Sequence, residues 1–519
     1  MADYEFIVIG AGSAGCAVAG RLAAAGRDVL LLEAGGPGRN FVLDAPLGYA
    51  LAIGGRHDWK YRTEPEPGCD NRQIMQPRGK TVGGTSAINA LVWVRGCAAD
   101  YDDWQLPGWA WKDVEPVFRR MESHHLGGPG HGTTGPMNVN RAAEPDELSQ
   151  RFVAAARAAG VPANDDVGGP DLEGSALSPV TISQGRRWSA ARGYLDPVHD
   201  RITVVTCAMV RRIIFRDGVA SGVEYDHRGH LHHDIARCEI VLSAGAFGSP
   251  HLLQLSGIGP AEHLRNIGVS PVADSPGVGA NLTDHACTFV NYELAPGFRG
   301  LADVLNPKWL LRWKLHRTGK WASNGVEAVA HIRSDDRLTA PDFQLICSPV
   351  FVTAEGGGRM PKAALTIGQS YWTPTSRGTV RARSADPTVA PEIRFNTITT
   401  DDDINAFVRA IRRTREIADA EPLASALVRE INPGPEATTD DQLRQYIRAT
   451  IGSTYHPSCT VAMGPDDDDP LDEQLRVRGV QRLRVADTSA LPIIPRANTN
   501  APAIMIGERC ADFLLADSN

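Results

Sequence analysis

The sequence predicts an α/β protein built on a parallel sheet, and three features near its start carry that reading. Phe6-Ile7-Val8-Ile9 is an apolar run of the length of a buried strand. The turn Gly10-Ala11-Gly12-Ser13-Ala14-Gly15 follows it. A second apolar run, Val29-Leu30-Leu31-Leu32, then ends in Glu33. Strand, glycine turn, helix, strand and terminal acid in this order form a unit that cradles a dinucleotide. Gly10 and Gly12 let the backbone approach a pyrophosphate, and Gly15 lets the next helix pack closely on the sheet. Ser13 and Ala14 open a helix running to about residue 25, whose first N–H groups face the phosphates. Glu33, with Ala34 beside it, stands where a carboxylate accepts from ribose hydroxyls. The expectation is a Rossmann-like domain holding an adenine dinucleotide.

Length and composition frame the rest. A chain of 519 residues exceeds what a single core normally supports, so two domains are expected. Net charge of −8 and a pI near 6.0 argue against nucleic acid or an anionic membrane as the main partner. Nine scattered cysteines, odd in number and without a CxxC pair, suit a reducing compartment better than a disulfide framework or a zinc site. The first strand begins close to Met1, which leaves no room for a signal peptide. No apolar run approaches the roughly 20 residues that span a bilayer. A cytoplasmic protein, monomer or homodimer, is expected.

Several further segments have the small residues that let a backbone approach a large cofactor. Arg78-Gly79-Lys80-Thr81-Val82-Gly83-Gly84-Thr85-Ser86 is a second glycine-rich loop, running on through Ile88-Asn89-Ala90-Leu91-Val92. Ile240-Val241-Leu242-Ser243-Ala244-Gly245 reads as a buried strand ending in small residues, with a helix after it. Leu483-Arg484-Val485-Ala486-Asp487 is a strand ending in an acid. A nicotinamide cofactor is usually held by one compact domain. Elements dispersed over most of the chain favour FAD lying lengthwise.

The 78–96 segment, Gly245-Ala246-Phe247-Gly248-Ser249-Pro250 with its continuation to Gly259, and Asn498-Thr499-Asn500-Ala501-Pro502-Ala503 together resemble the signatures of the glucose–methanol–choline oxidoreductase family. Ser376-Arg377-Gly378-Thr379-Val380 belongs to the same likeness, which covers essentially the whole chain. The resemblance implies an FAD domain with a substrate domain and, usually, oxidation of alcohols; lyases also occur in the family. It further implies a catalytic histidine in a His-Pro-x-Gly-Thr segment. The match here is Tyr455-His456-Pro457-Ser458-Cys459-Thr460, with Cys459 in the glycine's place. His456 is therefore the expected general base, since imidazole titrates near neutrality. The family's second position, His or Asn, falls on Asn498, with Asn500 the lesser candidate. Cofactor contacts are also expected from Trp59, Val210 and Thr499. Ile88 occupies the position where some members attach flavin through a histidine, so FAD should be non-covalent. No metal is expected.

The fold expected is thus α/β, with a Rossmann-like FAD-binding domain from 1–155, 195–295 and 455–519. A substrate-binding domain from 156–194 and 296–454 is built on an antiparallel sheet with helices. Strands are expected near 205–215 and 219–225. Alternation in 343–347 and 379–383 predicts a sheet with one packed face. The glycine-rich stretches 127–135 and 354–358 read as surface loops, and Asp466-Asp467-Asp468-Asp469 as a solvated one. His227-Arg228-Gly229-His230-Leu231-His232-His233 reads as a hairpin loop rather than a metal site. Residues 308–321, with Trp309, Trp313 and five basic residues, read as an amphipathic lid or dimer helix rather than a membrane helix.

The function expected is FAD-dependent oxidation of a primary alcohol, an aromatic one among the candidates. His456 takes the hydroxyl proton, Asn498 positions the oxygen, and hydride passes to flavin N5. Oxygen or a quinone-type acceptor then takes the electrons. The alternatives are a hydroxynitrile-type lyase of the same fold and a non-catalytic flavin-binding module.

Overall fold

In the computed structural model, which describes residues 2–353 and 363–517, the opening unit consists of strand Asp3–Ile9, helix Ser13–Ala24 and strand Val29–Glu33. The two strands pair in parallel. Val29–Glu33 is buried along its whole length, as an interior strand covered on both faces must be. The helix sits directly on the glycine turn: a Cβ on Gly15 would lie 2.0 Å from the Gly10 carbonyl oxygen. The closing helix Asn500–Asp517 packs against it. Its buried Glu508 accepts hydrogen bonds from Tyr194 Oη at 2.7 Å and Arg120 at 2.9 Å, and pairs with Arg21.

The first sheet has seven strands, in the order Thr203–Thr206, Val29–Glu33, Asp3–Ile9, His230–Leu242, Val219–His227 and Ala208–Arg216, with Leu483–Val485 also pairing with His230–Leu242. The run expected at 205–215 is broken at Cys207, whose φ of +55° is left-handed. Its first part extends the parallel side and its second part starts an antiparallel ladder. Only Arg228 and Gly229 of the histidine-rich stretch form the hairpin turn; His227 ends one strand and His230, His232 and His233 lie in the next, so the stretch is mostly ladder rather than loop.

The second sheet is antiparallel, in the order Leu427–Asn432, Ala286–Leu294, Ala364–Tyr371, Phe343–Ser348, Ala328–Ile332 and Gly174–Leu177, with Gly452–Ser453 also pairing with Ala286–Leu294. Three features depart from the sequence reading. Ala286–Leu294, placed by the boundary at 295 in the FAD unit, is an interior strand of this second sheet. Its nearly continuous burial gave it the look of a parallel-sheet strand. The sheet is covered on both faces, since Ala364–Tyr371 is buried at every position. Helices Glu147–Ala158 and Asp401–Ala418 belong to its hydrophobic core. Finally, Thr379–Arg381 pairs only with Glu392–Arg394, in a separate two-stranded piece. The 354–358 stretch lies outside the described residues. The 127–135 stretch is only partly a surface loop, because its His131 is buried between Glu122 and Asp166.

Candidate active site

A cavity of about 850 Å³ runs between the two sheets and gathers most of the residues singled out in the sequence. That size is at the upper end of ligand sites. Gly10, Gly12, Ser13, Ala14, Glu33 and Ala34 form one end; Trp59, Gly84, Thr85, Asn89, Ala90, Leu91, Val92 and Val210 line it further along. Ala244, Gly245, Tyr455, His456, Asp487, Asn498, Thr499 and Asn500 complete the set. Gly15, Val82 and Ala486 are not among its lining residues. Gly15 lies beneath the turn, and the Val82 N–H donates to Gly36 O at 2.9 Å. Ala486 is fully buried, its carbonyl accepting from Ser243 Oγ at 2.8 Å.

The nucleotide end has donors and acceptors of the right kind for an adenine dinucleotide. Glu33 is fixed by the N–H groups of Ala11 at 3.0 Å and Gly35 at 2.7 Å, and burial pushes its carboxyl up to about 7. Glycine is required where two loops close on each other: a Cβ on Gly84 would stand 2.6 Å from Gly12 Cα. The first N–H groups of helix Ser13–Ala24 open into this space without a side-chain cap, which suits a pyrophosphate. Asn500 Oδ1 accepts from Ser13 Oγ at 2.7 Å and joins the closing helix to the same locus. Asp487 accepts from Gly245 N at 2.8 Å and Ser249 Oγ at 2.6 Å, so it braces the turn after strand His230–Leu242. These residues fit FAD.

His456 sits where a loop folds back onto strand Ala286–Leu294. Its backbone N–H donates to Asp284 Oδ1 at 2.7 Å, and Ser453 holds the other oxygen of that carboxylate. Its Nδ1 lies 3.2 Å from Thr454 Oγ1 and 3.0 Å from His285 Nδ1. Thr454 spends its own hydroxyl proton on His285 O at 2.8 Å, so toward His456 it accepts. That places the His456 proton on Nδ1 and leaves Nε2 with a free lone pair. Burial, with the Arg78 charge adding to it, lowers the His456 pKa to about 3 and keeps the ring neutral. Cys459, where the family motif has glycine, holds φ +72°; the loop retains a left-handed residue despite the side chain.

Asn498 is oriented by a second chain of hydrogen bonds. His331 Nδ1 donates to Leu172 O at 2.9 Å, so its Nε2 accepts from Gln344 Nε2 at 3.1 Å. Gln344 Nε2 also donates to Asn498 Oδ1 at 3.1 Å, and Asn498 Nδ2 donates back to Gln344 Oε1 at 3.3 Å. This order fixes both amides, and one Asn498 N–H remains for the cavity. Sequence reading passed over His285, Asp284, Gln344 and His331. The available signal was polar residues set in or directly ahead of apolar strands, as in Ala330-His331-Ile332 and Phe343-Gln344-Leu345. Such residues must be paired when buried.

The GMC oxidoreductase family models match residues 4–287 and 374–507. The chain belongs to the GMC oxidoreductase family. An oxygen-dependent choline dehydrogenase of Rhizobium etli is 40% identical over 98% of this chain and 95% of its own length. That of Photobacterium profundum is 38% identical over 99% and 93%. Among solved structures, pyridoxine 4-oxidase from Mesorbium loti superposes with a TM-score of 0.90 at 29% identity, covering 98% of both chains. Formate oxidase of Aspergillus oryzae RIB40 does so with a TM-score of 0.93 at 27% identity, covering 99% of this chain and 98% of its own. This GMC oxidoreductase is accordingly an FAD-binding enzyme acting on CH–OH donors. No helix among the described residues is long and apolar enough to cross a membrane.

Proposed function

We propose that this GMC oxidoreductase oxidises a neutral primary alcohol, apolar or aromatic, to the aldehyde, with His456 as general base and Asn498 as the holder of the hydroxyl oxygen. The observation that carries the reading is the pair of networks that leaves His456 Nε2 and one Asn498 N–H facing a single cavity. When bound, FAD supplies the hydride acceptor at flavin N5 and passes the electrons to oxygen or a quinone-type acceptor. Nε2 takes the hydroxyl proton as negative charge grows on the oxygen. The Nδ1–H stays with Thr454 and His285, which keeps the ring from turning over. Asn498 donates to the same oxygen without competing for its proton. Burial keeps the ring unprotonated near neutral pH, so Nε2 is in the form that accepts the proton as the alkoxide develops.

The walls support an uncharged substrate. Phe289, Ile346, Val350, Phe351 and Val352 line the end of the cavity supplied by the second sheet and its following loop. Among the described residues the only carboxylates lining the cavity are Glu33 and Asp487, and both are held by backbone N–H groups. A quaternary ammonium would have aromatic faces there but, among the described residues, no free countercharge. Choline remains the second reading, because relatives 40% identical are choline dehydrogenases. An anaerobic panel decides: holoenzyme is mixed with benzyl-type alcohols, aliphatic alcohols and choline while flavin bleaching is followed. Bleaching by choline alone would overturn the neutral-substrate reading. No bleaching by any alcohol would overturn alcohol oxidation.

A further inference from the structure

Residues 299–320 reverse the charge of the molecule. In a chain of net −8, this segment carries Arg299, Lys308, Arg312, Lys314, Arg317 and Lys320 against Asp303 alone. Its helix, Pro307–His316, starts with proline behind an Asn306 cap and stops at a left-handed Arg317. The inner face is already packed. Trp313 is buried against Phe41 at 5.4 Å between ring centroids, and its Nε1 donates to Gly185 O at 2.8 Å. The outer face is not. Leu305, Leu311 and Leu315 are 78%, 57% and 66% exposed, and Leu311 and Leu315 share one side of the helix. Lys308, Arg312 and Lys314 are exposed among them, Lys308 within 3.8 Å of Asp303 and Arg312 within 2.7 Å of Glu144. Neither Lys314 nor Arg317 joins an ion pair among the described residues. Leu301 and Val304, just ahead of the helix, are walls of the active-site cavity.

We propose that this face seats the enzyme on an anionic lipid surface. Leu305, Leu311 and Leu315 enter the acyl boundary, and Lys308, Arg312 and Lys314 lie among the headgroups. The cavity behind Leu301 and Val304 then opens beside the bilayer. A lid would have to use the inner face, which is committed to Trp313 and its neighbours. A two-fold dimer through this patch would set one copy's basic patch against the other's. An anionic lipid surface offers both an apolar layer and negative charge. This departs from the lid or dimer role expected from sequence, and it does not depend on which alcohol is oxidised.

The test is flotation of the holoenzyme with vesicles of phosphatidylcholine alone and of phosphatidylcholine mixed with phosphatidylglycerol. The enzyme should float with the mixed vesicles and far less with the neutral ones. Leu311→Ser with Leu315→Ser should weaken that partition about tenfold or more, with turnover of a water-soluble alcohol unchanged, because neither side chain lines the cavity. Lys308→Glu with Lys314→Glu should abolish the preference for anionic vesicles. Retained flavin absorbance reports that each variant is folded. Failure to float with mixed vesicles, or flotation that the leucine pair does not weaken, overturns the proposal. So does a dimer in sedimentation velocity that the leucine pair dissociates, which would assign the face to a second copy.

Discussion

His285 Nδ1 lies 3.0 Å from His456 Nδ1, with the two rings nearly perpendicular at 89°. One nitrogen must donate and the other accept. Thr454, whose hydroxyl points to His285 O, makes His456 the donor. Burial, and after it the neighbouring His456, hold the His285 pKa well below its usual value, so His285 stays a neutral acceptor. The adjacent Asp284 fixes the His456 backbone. One dipeptide therefore sets both the place and the tautomer of the proposed base.

His285→Phe keeps the ring volume and removes the acceptor. The expected result is an intact flavoprotein in which anaerobic flavin reduction is slowed roughly tenfold or more while KM changes little, the pattern of a displaced base. Reduction at the wild-type rate would show that Thr454 alone orients His456.

Gln344→Leu should act through Asn498. It removes the amide that fixes Asn498 and leaves His331 Nε2 without its donor. A donor to a developing alkoxide is typically worth about 2.7–4 kcal/mol, so Asn498→Ala should cost roughly 10² to 10³ in rate and Gln344→Leu a part of that. Asn500→Ala, which loses the Ser13 contact, should weaken FAD retention more than chemistry. A slow Asn500 variant beside a normal Asn498 variant, both measured with saturating FAD, would move the oxygen-binding role to Asn500.

The buried histidines should cost stability in mild acid. His251, His331 and His456 are pushed down to about 4, 3 and 3, each chiefly by burial. The folded state keeps them neutral, whereas the unfolded chain protonates them near pH 6.5. Between pH 6.5 and 4 the unfolded state thus binds more protons, and stability is lost as pH falls through that window. Glu33 and Asp284, raised to about 7 and about 6 by burial, act in the opposite sense, as do Glu66, Asp146, Glu239, Glu327, Asp342 and Asp487, all raised chiefly by burial, so the histidine contribution is read by removing one histidine. From pH 6.5 down to 5 the melting temperature of the parent should fall relative to that of His251→Gln, which lacks one of these buried rings; parallel profiles would contradict the neutral assignment.

FAD should leave the denatured protein intact. Ile88 is buried and lines the cavity, and its side chain offers no atom for a flavin bond. Flavin fluorescence that stays with the polypeptide on a denaturing gel would refute this.

Much of this architecture was legible in the sequence, for physical reasons that differ by element. The strand–turn–helix–strand opening was readable because local glycine chemistry and apolar runs agree with the fold. The second sheet was harder. Ala286–Leu294 is buried on both faces, so it lacks the period-two alternation that marks a half-exposed antiparallel strand. His456 and Asn498 came from motif likeness. Their partners did not, because His285 meets His456 across 171 positions and Gln344 meets Asn498 across 154. Contacts of that range are made by the sheet register and leave no local signature. The exposed leucines of helix Pro307–His316 were hidden too, since an amphipathic pattern does not say which apolar face is packed.

The base assignment is tested most directly by anaerobic stopped-flow reduction of His456→Ala reconstituted with saturating FAD. The variant should bind flavin normally and be reduced by alcohol about 10² to 10⁴ more slowly than the parent enzyme, the usual worth of a general base. Reduction slowed by less than about tenfold, with flavin fully bound, would mean that another group takes the proton.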